Sequence, residues 1–315
     1  MGGRWRGVDR LIGAGGWAYF EVPADDRLAA YARAFPFVEV NSTFYAHPDL
    51  RTVASWRRRV PASFRFAVRA HRDVSHRFRL RPTPAARASF ARTAKIAERL
   101  FAVAIVLETP ESVRPEPQDV HDLLAAVDLP CPVALEARAF WNRPLPSPLA
   151  VVMESDDIAD AVDFSRQRPR TASTLAYGRL FGAGDGNRWE FSADELAAIK
   201  ERGEATGAKR VAYTFHGVRM YKDAGRFLTF VRTGKAPPST RHRGVKSLQE
   251  ILEADARFPA TKADLVREHG FRVVDTENGR DAHAVALLAR LPLRRFVSAA
   301  EVAASLVLRA GNVAV

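Results

Sequence analysis

Short apolar runs rich in β-branched residues alternate, up to about residue 215, with stretches whose apolar positions recur every three or four residues. The runs Leu11–Gly15, Phe37–Asn41, Phe64–Arg69, Ala102–Leu107, Pro132–Glu136, Leu149–Met153, Leu175–Phe181 and Arg210–Phe215 predict strands. Helices are predicted over Asp25–Ala34, Thr52–Arg59, Pro84–Arg99, Gln118–Val127, Ser192–Thr206 and Tyr221–Arg232, and Ser192 with Glu195 has capping-box spacing. RAFWNRPLPSP after the fifth run is too proline-rich for a long helix, and SDDIADAVDFSRQRPR after the sixth reads as loop. Eight strands alternating with helices over roughly 205 residues predict an α/β fold of the (β/α)8 TIM-barrel type with some reduced helices. An open doubly wound sheet fits less well, because GAGGW after the first run lacks the spacing of a dinucleotide-binding loop.

Past Gly234 the pattern changes. KAPPSTRHRG reads as a linker, and three short helical pieces follow: one from Ser247 with Glu250, one from Thr261 to Gly270, and one from Ser298 with Glu301. FRVVDTENGRDAH between the last two predicts a hairpin turning at Asn278-Gly279. The chain is therefore expected to divide into a barrel over residues 1–235 and a small, mainly helical extension over 236–315. That extension is expected to be a cap on the barrel or a winged-helix-like module.

Period-two alternation selects which strand residues face the barrel axis. If Val38 and Val40 meet the helices, Glu39 and Asn41 point inward. The same rule sends Arg65, Ala67, Arg69 and His71 inward from the third strand. It also sends Glu108 from the fourth, Glu136 and Arg138 from the fifth, Arg179 from the seventh, and Thr214 and His216 from the eighth. Charges thus gather at the C-terminal ends of the strands, where barrels of this type carry their chemistry. They either form an internal ion-pair network, with Glu39 and Glu136 neutralising Arg69, Arg138 and Arg179, or line a functional pocket.

Charge sharpens this picture. The chain carries a formal +12, and residues 51–99 alone hold 13 Arg and one Lys against Asp73 and Glu98, an excess of the same size. That concentration points to a polyanion, DNA or RNA, as partner. Phosphate contacts are expected from Arg72, Arg77, Arg79 and Arg81, while Trp17, Tyr19, Tyr45 and Trp141 stand just after strand ends, placed to stack on a base or sugar. Glu39 and Glu136 can share acid and base work or hold Mg²⁺ or Mn²⁺, and His76 and His216 can move protons near neutral pH. No zinc spacing, nucleophile elbow or P-loop occurs in the sequence. The single Cys131 and the lack of an apolar span of about 18 residues suggest a cytoplasmic setting without a membrane anchor.

Five segments, VEVNSTFY (Val38–Tyr45), TVASWRRRVPASFRFAVRAHRDVSH (Thr52–His76), LEARAFW (Leu135–Trp141), YGRLFG (Tyr177–Gly182) and MYKDAGRF (Met220–Phe227), together resemble the DUF72, or YecE-like, family of uncharacterised proteins. The resemblance implies a TIM barrel. It also implies a pocket of Glu39, Asn41, Arg69, Arg72, His76, Glu136, Arg138, Trp141 and Arg179. Arg69 stands where the family commonly has Lys, Glu108 where an amide is usual, and Phe215-His216 where many members have Phe-Asn-Asn. The expected function is a nucleic-acid-directed hydrolase, a phosphodiesterase using metal or acid–base chemistry. A sugar-phosphate or glycoside enzyme built on Glu39 and Glu136, and a non-catalytic nucleic-acid-binding module, are the alternatives.

Overall fold

The structure is a computed structural model that describes residues 8–20, 26–183, 189–237, 242–270, 272–277 and 281–311. Strands β1 (Asp9–Ala14), β2 (Phe37–Val40), β3 (Arg65–Arg69), β4 (Ala104–Thr109), β5 (Val133–Ala137), β6 (Ala159–Asp160), β7 (Leu175–Leu180) and β8 (Arg210–Phe215) form one sheet ordered β6-β5-β4-β3-β2-β1-β8-β7. All neighbouring strands in it are parallel. Val162 closes the ring: its N–H donates to Tyr177 O at 3.2 Å, and its carbonyl accepts from Arg179 N at 2.9 Å. The TIM-type barrel predicted from the alternation is therefore present.

Helices α1 (Arg27–Ala34), α2 (Leu50–Arg58), α3 (Pro84–Leu100), α4 (Pro117–Ala125), α5 (Ser147–Ser155), α6 (Ala193–Glu204) and α7 (Met220–Thr233) surround the ring. The outward positions Val38, Val40, Phe66, Val68, Ile105 and Leu107 pack against them. Inside, alanines at 67, 104, 134, 159, 161 and 212 leave room for the large Phe37 and Tyr177. Ser192 and Glu195 form the predicted capping box of α6.

The sixth strand differs from expectation. Leu149–Met153 lies within α5, where Pro148 occupies the first turn and Leu149 and Met153, four residues apart, are buried while Val151 is 65% exposed. A five-residue apolar run does not reveal its own period, so helix and strand read alike. The real β6 sits in the segment read as loop and is too short to show alternation. Asp160 in β6 is fixed by Arg170, whose Nη2 lies 2.6 Å from Oδ1.

One close approach on the ring depends on glycine. A Cβ at Gly13 would lie 1.9 Å from the carbonyl oxygen of Phe37, beside the Tyr31 hydroxyl that donates to that oxygen at 2.8 Å and accepts from Ala14 N at 2.8 Å. Gly13→Ala is expected to destabilise the protein by about 1–3 kcal/mol, because the clash is with backbone in a packed sheet and cannot relax by rotamer change. Urea unfolding checks this; a midpoint equal to wild type would contradict it.

The C-terminal part comprises α8 (Gly244–Asp255), β9 (Ala260–Thr261), α9 (Lys262–His269), β10 (Val273–Asp275), β11 (Asp281–His283), α10 (Val285–Leu288), β12 (Arg295–Phe296) and α11 (Ala299–Gly311). Its core, including Leu252, Leu265, Leu288, Phe296 and Val302, is separate from those of the barrel. Thr261 and Asp264 cap α9 reciprocally, and Ser298 Oγ accepts from Glu301 N at 3.2 Å. Ser247 caps nothing. Helix α8 begins three residues earlier, and the buried Ser247 hydroxyl instead accepts from Asp275 N at 3.1 Å. β10 and β11 form the predicted antiparallel hairpin, whose turn at Asn278-Gly279 falls outside the described residues. β9 and β12 add a strand pair that the sequence did not suggest.

This part docks on α7. Buried Lys222 places Nζ 2.9 Å from Glu190 and 3.4 Å from Asp275, and Arg219 Nη2 reaches Asp275 at 3.2 Å. No described helix is long and apolar enough to cross a membrane.

Candidate functional site

At the C-terminal ends of the strands, three inward carboxylates meet three guanidiniums. Arg179 is buried at the centre, with Nη2 3.0 Å from Glu39 Oε1, Nη1 2.5 Å from Glu108 Oε2, and a further ion pair from Nη1 to Glu136. Arg69 Nη2 lies 2.5 Å from Glu108 Oε2, and Arg138 bridges Glu108 at 3.1 Å and Glu136 at 3.2 Å. The register explains the convergence, because Glu108 pairs directly with Glu136 and Arg179 with Thr214 across adjacent strands. Three negative and three positive charges cancel, which makes their burial tolerable.

Burial pushes the Glu39 carboxyl upward, but Arg179 and the other nearby cations outweigh it and hold Glu39 well below the usual carboxylate range. Glu108 is lowered in the same way, burial being opposed by Arg179, Arg69 and Arg138. Arg179 is held charged: burial lowers its pKa, and the carboxylates more than reverse this. Glu39 is further fixed by the Tyr177 hydroxyl, which donates to Oε2 at 2.9 Å.

Above this network lies a second layer of polar side chains. His216 sits at the end of β8 with Nε2 3.5 Å from Glu39 Oε2, stacked on Phe181 with centroids 5.0 Å apart. Burial lowers its pKa more than Glu39 raises it, so the imidazole is neutral at pH 7. Its Nδ1 faces the backbone of Gly15, where a Cβ would come within 2.3 Å of Nδ1 and 2.8 Å of Asn41 Nδ2. Asn41 is anchored by donating to Gly15 O at 2.7 Å. His76, on a π-helical turn over Asp73–Arg77, is likewise lowered by burial, with Arg69, Arg138 and Arg72 adding to it against the pull of Glu108. Its ring meets the edge of Phe44, 5.1 Å away, and Phe44 carries the Arg69 guanidinium 3.6 Å from its centroid.

The remaining candidates divide. Arg138, partly exposed, lies 5.0 Å from the Trp141 ring, and Trp141 lies 6.2 Å from Phe181, so these form one wall of the mouth. Tyr45 is 66% exposed and touches Phe44 edge-on, while Tyr19 is 74% exposed. Trp17 packs edge-on against Trp56 of α2, 5.3 Å away. Arg72, Arg77 and Arg81 are exposed on the segment after β3, and Arg79 donates to Ser112 O at 3.1 Å. Tyr177 and Phe181 join the site as well: both share the inward parity of Arg179, a signal present in the alternation of the seventh strand.

Glu39 and Glu136 do not face an open cation site, because the Arg179 guanidinium occupies the space between them. A divalent ion there would have to displace it. Among the described residues no three His, Cys, Asp or Glu are grouped to hold a metal. Burial pushes the thiol of Cys131 up to about 12, so it is a poor nucleophile.

The family model described as "Protein of unknown function DUF72" matches residues 11–243, the barrel and the linker after it. The chain belongs to the DUF72 family. Two solved structures of DUF72 proteins share the fold. One, from Enterococcus faecalis V583, has a TM-score of 0.55 and 18% identity over 72% of this chain and 98% of its own. The other, from Thermotoga maritima MSB8, has a TM-score of 0.54 and 16% identity over 71% and 99%. At these identities they support the DUF72 barrel and carry nothing about its reaction. No curated protein matches.

Proposed function

We propose that this DUF72 barrel is a phosphodiester hydrolase acting on nucleic acid, with His216 as general base and Glu39 as the group that orients it. The observation that carries this reading is a neutral histidine held against a buried carboxylate, inside a mouth walled by Arg69 and Arg138 and edged by exposed arginines. Water would attack phosphorus as its proton passes to His216, and the bond from phosphorus to the leaving sugar oxygen would break. The leaving oxygen would take its proton from solvent water, and His216 would return the proton it accepted to solvent. Arg138, Arg72 and Arg69 would meet the charge on the phosphoryl oxygens, and Tyr45 and Trp141 would receive an unstacked base.

The carboxylate-pair chemistry of a glycosidase is less well supported, because Glu39 and Glu136 are both engaged by Arg179. Labelled single-stranded, duplex and abasic oligonucleotides, each with Mg²⁺, with Mn²⁺ and with chelator, test the reading. We expect cleavage that survives chelation. Binding without cleavage in any arm would favour a purely binding role; neither binding nor cleavage would end the nucleic-acid reading.

A further inference from the structure

We propose that the groove between α2 and α3 carries a single strand of nucleic acid away from the barrel mouth and ends on the exposed ring of Phe101. This path rests on the nucleic-acid reading of the mouth and is where the rest of the strand would run. The groove measures about 480 Å³, with Leu50 and Phe101 in its apolar lining and Arg58, Lys95 and Arg99 as its exposed cations. Arg57 also lines it, but its guanidinium is spent on the carbonyls of Val60, Pro61 and Phe64. Among the described residues Glu98 is the one carboxylate in the lining, and none lies within ion-pair distance of Arg58, Lys95 or Arg99.

Arg92, Lys95 and Arg99 follow i, i+3, i+7 spacing and so share one side of α3. The same helix is tied to the mouth. His47 Nε2 lies 3.4 Å from Thr93 Oγ1, its ring stacks on His71 with centroids 4.5 Å apart, and His71 Nε2 lies 3.3 Å from the carbonyl of Tyr45. The row of cations therefore continues from the mouth loop toward the far end of the barrel. Helix α3 has 17 residues, a length of about 25 Å, which about seven nucleotides of one strand cover at roughly 3.4 Å each. At that end Phe101 is 76% exposed with φ 51°, a bulky side chain held in the left-handed region where glycine usually closes a helix. Cations for the phosphates beside a ring for a base are the two features by which surfaces hold single strands. A polymer gathers many such contacts along an open groove and needs no enclosed pocket.

Fluorescence anisotropy of the full chain with labelled phosphorothioate oligo-dT, chosen to resist cleavage, tests the path with probes of about 6 and about 20 nucleotides over a series of salt concentrations. The longer probe is expected to bind about tenfold more tightly or better. In Arg58→Ser/Lys95→Ser/Arg99→Ser, all exposed positions, that advantage should disappear and the salt slope should fall by about 2, since each phosphate contact on a single strand contributes about 0.7. The short probe, held by the mouth alone, should bind as to wild type. Phe101→Gly is expected to weaken the longer probe about fivefold without lowering Tm, because glycine suits the left-handed backbone. If the triple variant binds the longer probe as wild type does while the short probe still binds, the path is overturned and the mouth reading stands. An equal loss for the short probe in the triple variant, or no effect of Phe101→Gly, would also overturn the path. No binding of either probe by wild type would overturn both.

Discussion

Arg179→Met is expected to lower the unfolding free energy at pH 7 by about 3–5 kcal/mol, the cost of removing one partner from a buried charge network. Methionine fills much of the volume, so the loss is electrostatic: Glu39 keeps Tyr177 and His216 but loses its nearest cation, and Glu108 and Glu136 retain only Arg69 and Arg138. The pH dependence separates this from a packing defect. In the wild type, Glu39 and Glu108 have folded pKa values below their unfolded ones, so their stabilisation is complete above the ordinary glutamate value of roughly 4.3 and is lost as pH falls through the folded values. In the variant, burial acts against fewer cations and raises the folded values, so protonation relieves the strain. The two stability curves should therefore converge on acidification. Urea midpoints at pH 7 and pH 5 would show this; a deficit equal at both pH values would mean that packing, not charge, was lost.

His216→Asn is expected to reduce the proposed cleavage rate by about 10²–10⁴-fold, the usual contribution of a general base, with little change in oligonucleotide affinity. Asparagine preserves polarity and rough size, so loss of folding does not account for the effect, and Tm should stay near wild type. Because His216 must be neutral to act and burial lowers its pKa, the wild-type rate should hold through neutral pH and fall only on the acid side of the ordinary histidine value of about 6.5. A variant with full activity, or a profile that falls above neutral pH, would remove His216 from the role. Glu39→Gln is the companion measurement: if Glu39 only orients His216, the rate drops while the acid limb moves to lower pH, because a carboxylate that raises the imidazole pKa has gone.

The barrel was legible because seven of its eight strands carry a period of two long enough to read, and the same parity placed Glu39, Arg69, Glu108, Glu136, Arg179 and His216 on the inner face. Alternation assigns a face and says nothing about partners. Whether these charges lined an open pocket or neutralised one another depended on strand stagger, and the stagger sets Arg179 between three glutamates. The two-residue β6 is too short to show a period, and Leu149–Met153, apolar at all five positions, fits a helix and a strand alike, so tertiary packing chose for them. The sequence alone determined the barrel, the inward charges and the basic segment, since these follow from local period and composition. Only the tertiary structure decided which carboxylates are committed to Arg179 and which histidine stands ready beside them, because ion pairing depends on distances between strands far apart in the chain.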